Sequence, residues 1–273
     1  MNILQFGDGR FGQNHKRILK DLGHEVTTVD IEEGGLYDMP IHNYEPDAVI
    51  ITTSSVNHFP IAKACLVRNI PVFCEKPVLL KETQLQTLRG LYRENSDLIY
   101  MAGHQLVFME EIELWNRQYG GYVVYMNSMR NGAIPREEGA LFSLMVHDIA
   151  LAFHVRNVPE LNCIDVEGNK HELRATLAYE DYQVELYAVS VSKVRMRHTS
   201  FIKTTGEKLS ICPDNWNRPN LLRDELIYFC KHVEKGIPCS VNGIPQVVKI
   251  METAFKIQKL MEEKKNETAT QMG

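Results

Sequence analysis

The run Gly7-Asp8-Gly9-Arg10-Phe11-Gly12 follows directly on the apolar stretch Ile3-Leu4-Gln5-Phe6. Residues 10 to 22 then carry Phe11, His15, Ile18, Leu19 and Leu22 on one helical stripe. The next segment, Glu25 to Val29, is β-branched and ends on Asp30. Strand, glycine turn, helix, strand and acidic residue stand in the order of a dinucleotide-binding βαβ unit. The three glycines serve different ends. Gly7 permits the tight turn, Gly9 lets the backbone approach a pyrophosphate, and Gly12 lets helix pack closely on strand. Arg10 and Phe11 complete the turn, and the helix start offers unpaired N–H groups and a positive dipole end to phosphates. A glycine turn in a flavodoxin-like domain without a cofactor fits the same spacing. Asp30 can accept hydrogen bonds from ribose hydroxyls. The 2′-phosphate of NADP would lie against this carboxylate and against Glu32 and Glu33, so NAD is the expected cofactor.

The length of 273 residues, with 44% hydrophobic and 24% charged side chains, suits one or two sizeable cores. A net charge of -5 gives no reason to expect nucleic acid or an anionic membrane as partner. No apolar run approaches the ~18 residues of a membrane span, and the first strand leaves no room for a signal peptide, so a cytoplasmic location is expected. Cys65, Cys74, Cys163, Cys212, Cys230 and Cys239 show neither C-x-x-C nor zinc spacing. They read as reduced, buried small hydrophobes, and no metal site is expected.

Beyond the first βαβ unit, the continuously apolar Ala48-Val49-Ile50-Ile51 predicts a central parallel strand. A helix over 58–68, a strand over 70–74, a helix over 81–95 and a strand over 98–102 continue the alternation of a doubly wound parallel sheet. Past residue 120 the pattern changes to alternating runs at 122–129, 172–179, 183–192 and 198–204, which predict an antiparallel or mixed sheet covered on one face. Helices are expected near 139–155, 221–235 and 245–264, with the tail from Glu262 frayed. The domain boundary is placed at Tyr119-Gly120-Gly121. This gives an α/β chain: a Rossmann domain over 1–119 and a second α/β domain with an open sheet over 120–273.

The strand at 70–74 leads into Glu75-Lys76-Pro77, at the sheet edge where open α/β folds place ligands. Pro77 fixes its own φ and biases Lys76 toward an extended conformation, so the lysine leaves the strand in a set direction. A solvated Glu-Lys pair at a strand end is the plain alternative. Together, Gly7 to Gly12 with His15, Thr53-Ser54 with His58, Glu75-Lys76-Pro77, Gly103-His104 with Phe108, and His147-Asp148-Ile149 resemble, in order and spacing, the Gfo/Idh/MocA oxidoreductase family. The resemblance implies an N-terminal Rossmann domain that binds NAD(P) and a second domain that supplies substrate contacts and often the oligomer interface. It makes Lys76 and His147 the catalytic candidates. It places Thr53, Ser54, His58, Glu75 and Lys76 with the glycine turn at the cofactor, and Lys76, His104, Ser143 and His147, with Arg130 and Arg136, at the substrate. Either Lys76 or His147 can take the hydroxyl proton of a secondary alcohol as hydride leaves for the nicotinamide.

Two positions depart from the family pattern. Ser143 stands where an Asp is common one turn before the histidine, and Val107-Phe108-Met109-Glu110 replaces the Arg-Phe-Asn-Pro of nucleotide-sugar relatives. Ser143, His147, Ala150 and His154 are expected on one helix face, opposite Leu141, Leu144, Met145, Ile149 and Ala152. The loop Arg130 to Arg136 resembles that of relatives acting on nucleotide sugars, and its arginines suit a diphosphate; a solvated turn explains it equally well. The expected substrate is a sugar, nucleotide sugar or cyclic polyol. An alternative is an NAD-binding regulator or scaffold with little turnover, and a third reading recycles tightly bound nicotinamide. An open sheet with an apolar face predicts a homo-oligomer, with a dimer preferred.

Overall fold

The computed structural model describes residues 1–30, 38–132, 137–193, 196–212 and 218–271. The chain forms two compact units, Met1–Phe108 with Asn217–Val248, and Met109–Trp216 with Lys249–Gly273.

In the first unit, β1 (Asn2–Phe6), β2 (Glu25–Val29), β3 (Ala48–Ile51), β4 (Val72–Glu75) and β5 (Tyr100–Gly103) form a parallel sheet in the order β2-β1-β3-β4-β5. All four residues of β3 are buried, as a central strand covered on both faces requires. Among the described residues, four helices connect the strands: α1 (Arg10–Asp21), α2 (Asp38–Tyr44), α3 (Ser55–Leu66) and α4 (Glu82–Glu94). The short α2 has too few turns to show a period in the sequence. The strand order reverses between β1 and β3, which opens a crevice at their C-terminal ends.

The second unit begins with α5 (Glu110–Gln118), followed by the long strand β6 (Val123–Asn131), a π-helical turn (Leu141–Met145) and α6 (Val146–Val155). Strands β7 (Asn162–Gly168), β8 (Glu172–Tyr179), β9 (Tyr182–Val189), β10 (Arg197–Lys203) and β11 (Lys208–Ile211) complete a sheet ordered β11-β10-β6-β9-β8-β7. Only β6 and β9 run parallel, so the sheet is mixed. On one face Val184, Leu186, Ala188, Ala175, Leu177 and Phe201 are buried. The opposite face departs from the apolar surface expected. It carries Tyr125, Asn127 and Glu185, with the Tyr125 hydroxyl donating to Glu185 Oε2 at 2.8 Å, while the Tyr187 hydroxyl donates to Glu172.

Helix α7 (Arg218–Lys235) returns to the first unit, where Leu226, Phe229 and Cys230 pack with Ile3, Ile18, Leu19 and Phe73. The Phe229 and Phe73 rings meet edge-on at 5.8 Å. A single boundary after residue 119 therefore does not describe the packing: the apolar stripe of α7 is legible, but a stripe does not say which sheet it covers. Helix α8 (Ile244–Gln271) runs through the tail expected to fray. Lys264 Nζ, 2.5 Å from Asp165 Oδ1 and 3.1 Å from Val166 O, ties it to β7. Four cysteines are buried as expected, but Cys163 is half-buried and Cys212 exposed. Both lie near strand ends, where a period-2 pattern no longer fixes burial. No described helix is long and apolar enough to cross a membrane, and the described residues contain no cluster that could hold a metal ion.

Candidate active site

The glycine turn is held by side chains beneath it. Gln5 is fully buried and its Nε2 donates to Gly7 O at 2.8 Å and to Gly12 O at 3.0 Å. Thr52 Oγ1, at the end of β3, lies 3.0 Å from both Phe6 O and Gly7 O and donates to them. Gly7 has φ +95°, and a Cβ there would lie 2.8 Å from the Thr52 carbonyl. A Cβ on Gly12 would strike Gly7 O and come within 2.9 Å of Thr52 Oγ1. Nothing lies within 4 Å of a Cβ built on Gly9, so this glycine leaves open space over the turn. The start of α1 has no side-chain cap at Gly9 and no acidic residue in its first turn. Its N–H groups and dipole are available to an anion, and the cradle fits a pyrophosphate. Arg10 and Phe11 are exposed beside it, and Asp30 is exposed at the end of β2. Residues 31–33 lie outside the described part.

At the other end of the crevice, Thr53 is half-buried, and Ser54 is exposed and precedes α3 without capping it. His58 is buried and occupied: Nδ1 lies 2.8 Å from Pro77 O and Nε2 3.0 Å from Thr53 O. It is a strut between two loops, with both ring nitrogens turned to backbone carbonyls. Both partners are acceptors, and the ring satisfies both only with a proton on each nitrogen. Burial, with Lys76, outweighs the two carbonyls and Glu75 and holds its pKa below the ordinary value, which favours the neutral ring with one donated bond.

Glu75 ends β4, and its Oε1 forms an ion-pair contact at 3.0 Å with Nε2 of the fully buried His15. Its Oε2 accepts from the Lys76 backbone N–H at 3.2 Å. The carboxylate lies over Gly103, where a Cβ would come within 3.2 Å of Glu75 Cδ. Burial pushes the Glu75 carboxyl up, but His15, Lys76 and His58 together outweigh it and hold the group below its ordinary value. Lys76 is half-buried, and its charge is felt at Glu75, His58 and His104. His104 is 2% exposed, with its carbonyl accepting from Asn242 Nδ2 at 3.3 Å, so it stands behind the turn and offers little surface to a substrate. Burial drives its pKa down to about 3.

These shifts predict acid lability. Unfolded His104 takes up a proton near 6.5, whereas the folded protein keeps it neutral down to about 3, so stability falls as pH drops across that window. Glu75 adds to this: its contribution is fully present above 4.5 and is lost as pH falls through its lowered folded value. Buried Glu225 of α7 has its carboxyl pushed well up by burial and then by Glu75, and it works in the opposite sense as pH rises above 4.5. Urea midpoints measured against pH should fall less steeply toward acid for His104→Gln and Glu75→Gln than for the native chain. Parallel slopes would remove both groups from the account.

In the second unit, Arg130 is 3% exposed on the covered face of β6. Its Nε donates to Asp148 Oδ2 at 2.9 Å and its NH2 group to Asp148 Oδ1 at 2.7 Å. Arg130 is thus committed to a carboxylate of its own chain, which corrects the expectation that it holds a diphosphate. Arg136 lies outside the described residues. Ser143 is buried and its hydroxyl donates to Gly139 O at 2.5 Å. The π-helical turn over Leu141–Met145 inserts extra backbone before α6 and rotates the faces expected from a uniform helix. Leu144 is only half-buried, whereas Ser143 and Ala150 are buried, and His147 is half-buried in the first turn of α6.

Sequence reasoning did not find Gln5, Thr52, Glu225 or the Arg130–Asp148 pair. Gln5 carried a signal, being an amide inside an otherwise apolar strand. Glu225 carried another, on the stripe of Leu222, Leu226 and Phe229.

Residues 12–104 match the Gfo/Idh/MocA oxidoreductase family, described as an NAD-binding Rossmann fold. Two relatives match the chain at 30% identity. One is an uncharacterized oxidoreductase of Streptococcus pneumoniae, matched over 44% of this chain and 31% of that protein. The other is 2,7-anhydro-N-acetylneuraminate hydratase of Mediterraneibacter gnavus, matched over 46% and 38%. The matched stretches thus span well under half the length of these relatives. Solved structures share the fold along nearly the whole chain. A probable dehydrogenase from Thermotoga maritima has TM-score 0.81 at 16% identity, covering 97% of each chain. Scyllo-inositol dehydrogenase from Lactobacillus casei, with NAD(H) and scyllo-inositol, has TM-score 0.78 at 15% identity, again covering 97% of each. UDP-N-acetylglucosamine 3-dehydrogenase from Acidithiobacillus ferrooxidans has TM-score 0.75 at 15% identity, covering 95% of this chain and 97% of that one.

Proposed function

We propose that this Gfo/Idh/MocA protein is an NAD-dependent dehydrogenase acting on a secondary alcohol of a sugar, nucleotide sugar or cyclic polyol. The observation that carries the reading is the open glycine cradle at the strand-order reversal, with Lys76 leaving the end of β4 along the same sheet edge. NAD, when bound, supplies the hydride acceptor. Gly9 and the uncapped N–H groups of α1 hold the pyrophosphate, and Asp30 accepts from the ribose. The family resemblance assigns the hydroxyl proton to Lys76 or to His147. The Glu75 carboxylate beside Lys76 is engaged by His15 Nε2 at 3.0 Å and by the Lys76 backbone N–H, so it does not depend on the lysine ammonium for a partner. With Arg130 engaged by Asp148, a plain sugar or polyol is favoured over a nucleotide sugar.

The test is direct: the purified protein binds NAD and changes nicotinamide absorbance with some member of a carbohydrate panel. Cofactor binding with no change across the panel favours the regulator reading. The hydratase relative favours the other alternative, in which nicotinamide is recycled within one turnover, and NADH copurifying with the protein supports it. A melting-temperature shift with UDP-sugars in the presence of NAD would restore the nucleotide-sugar class. The homo-oligomer is also kept as a proposal, with sedimentation as its check.

Asp30 sets the choice between cofactors. Asp30→Ala removes the charge facing a 2′-phosphate, and the ratio of NADP to NAD affinity should rise about tenfold, an electrostatic change of ~1.4 kcal/mol. Titration of both cofactors reads it; an unchanged ratio places the discrimination elsewhere.

A further inference from the structure

We propose that Arg130 and Asp148 are positioning residues that set the direction in which His147 leaves α6, a proposal that rests on the dehydrogenase reading above. Asp148 follows His147 in the chain, and successive residues on an α-helix are turned by about 100°. Fixing Asp148 against the sheet therefore fixes where its neighbour points. Both carboxylate oxygens are engaged by the guanidinium, at 2.9 and 2.7 Å. Oδ1 also accepts from Ser128 Oγ at 2.9 Å, and Ser128 in turn meets Thr199 Oγ1 at 2.9 Å. The clamp joins three elements: β6 through Arg130 and Ser128, β10 through Thr199, and the first turn of α6. The residue facing Arg130 on β9 is Ala188, which leaves room for the guanidinium beneath the helix.

Apolar packing already buries this helix, through Val146, Ile149, Ala152 and Phe153. Such contacts have no direction and tolerate axial slip, whereas a bidentate fork defines one orientation. The π-helical turn just before α6 makes that distinction matter, because its wider ring leaves the entry to the helix less strictly set than an α-helical turn would. As a device for stability alone, a buried ion pair has little advantage over an apolar pair of similar volume. Retaining the two charges makes sense if orientation is what they contribute.

Three variants separate orientation from stability. Asp148→Leu leaves a buried guanidinium unpaired and lowers the melting temperature. The double variant Arg130→Met with Asp148→Leu recovers that temperature, yet its kcat stays about 10- to 100-fold down, with NAD affinity unchanged. Arg130→Lys keeps the charge, loses the fork and lowers kcat several-fold. In a His147→Ala background, Arg130→Lys has no further effect, because a positioning residue acts through the group it positions. A double variant with native kcat, or an undiminished effect of Arg130→Lys without His147, overturns the proposal. A readout without turnover keeps this distinct from failure of the dehydrogenase reading. The His147 imidazole resonances, assigned by their loss in His147→Gln, should shift in the double variant; identical resonances overturn the proposal even if no substrate is found.

Discussion

Lys76→Ala should lower kcat by about 10²–10⁴-fold, the usual contribution of a positioned acid–base group, while NAD binds as before. Lys76 lies outside the glycine cradle, so the pyrophosphate and ribose contacts proposed above do not call on it. Its backbone N–H is the part that Glu75 fixes, and alanine keeps that bond, so the turn itself survives. The loss then falls on the ammonium alone. Single-turnover absorbance changes with saturating NAD read the chemical step, and NAD titration reads binding. If Lys76→Ala turns over at the native rate, proton transfer belongs to another group, and His147 is the first to examine. If the lysine variant loses NAD affinity in proportion to rate, its role is to hold cofactor.

Gly12→Val should abolish NAD binding and lower stability by several kcal/mol, the cost of overpacking a site whose walls are backbone. A Cβ at Gly12 strikes the Gly7 carbonyl, and its next neighbours are Thr52 Oγ1 and Gln5 Nε2, at 2.9 and 3.0 Å. Both side chains are held by their own bonds to the turn, so neither can move aside without freeing a buried polar group. Gly9→Ala is the control. Its Cβ meets nothing in the protein, so the fold should keep its melting temperature while NAD affinity falls. Equal losses of stability at both positions would place crowding, rather than cofactor access, at Gly9 as well.

The first βαβ unit was legible because its determinants are local. A positive-φ glycine, a period of 3.6 over Ile18 and Leu19, and a β-branched run ending at Asp30 all act within thirty residues. Strand β3 was legible for the same reason, since continuous burial leaves a continuous apolar run. What failed to show were properties that depend on distant partners. Arg130 looks alike in sequence whether it faces solvent or a carboxylate eighteen residues away. Sequence separation, not weak chemistry, hid the His15–Glu75 contact as well: each residue was singled out, but nothing paired them. The π-helical turn before His147 changes hydrogen-bond register without changing composition, so no pattern announced it. The polar character of the open sheet face was present in Tyr125, Asn127, Glu185 and Tyr187, but it was read as a period rather than as a surface.

The return of α7 to the first unit sets an order of events during synthesis. Phe73, Ile18 and Leu19 emerge from the ribosome with their strands and helices, but Leu226 and Phe229, which cover them, follow more than a hundred residues later. The nucleotide-binding unit therefore cannot close until the intervening sheet has been made. A nascent chain stalled before residue 218 carries an uncovered apolar face, and so does any fragment cut at residue 119. The part of the protein whose sequence is read first is among the last to be finished.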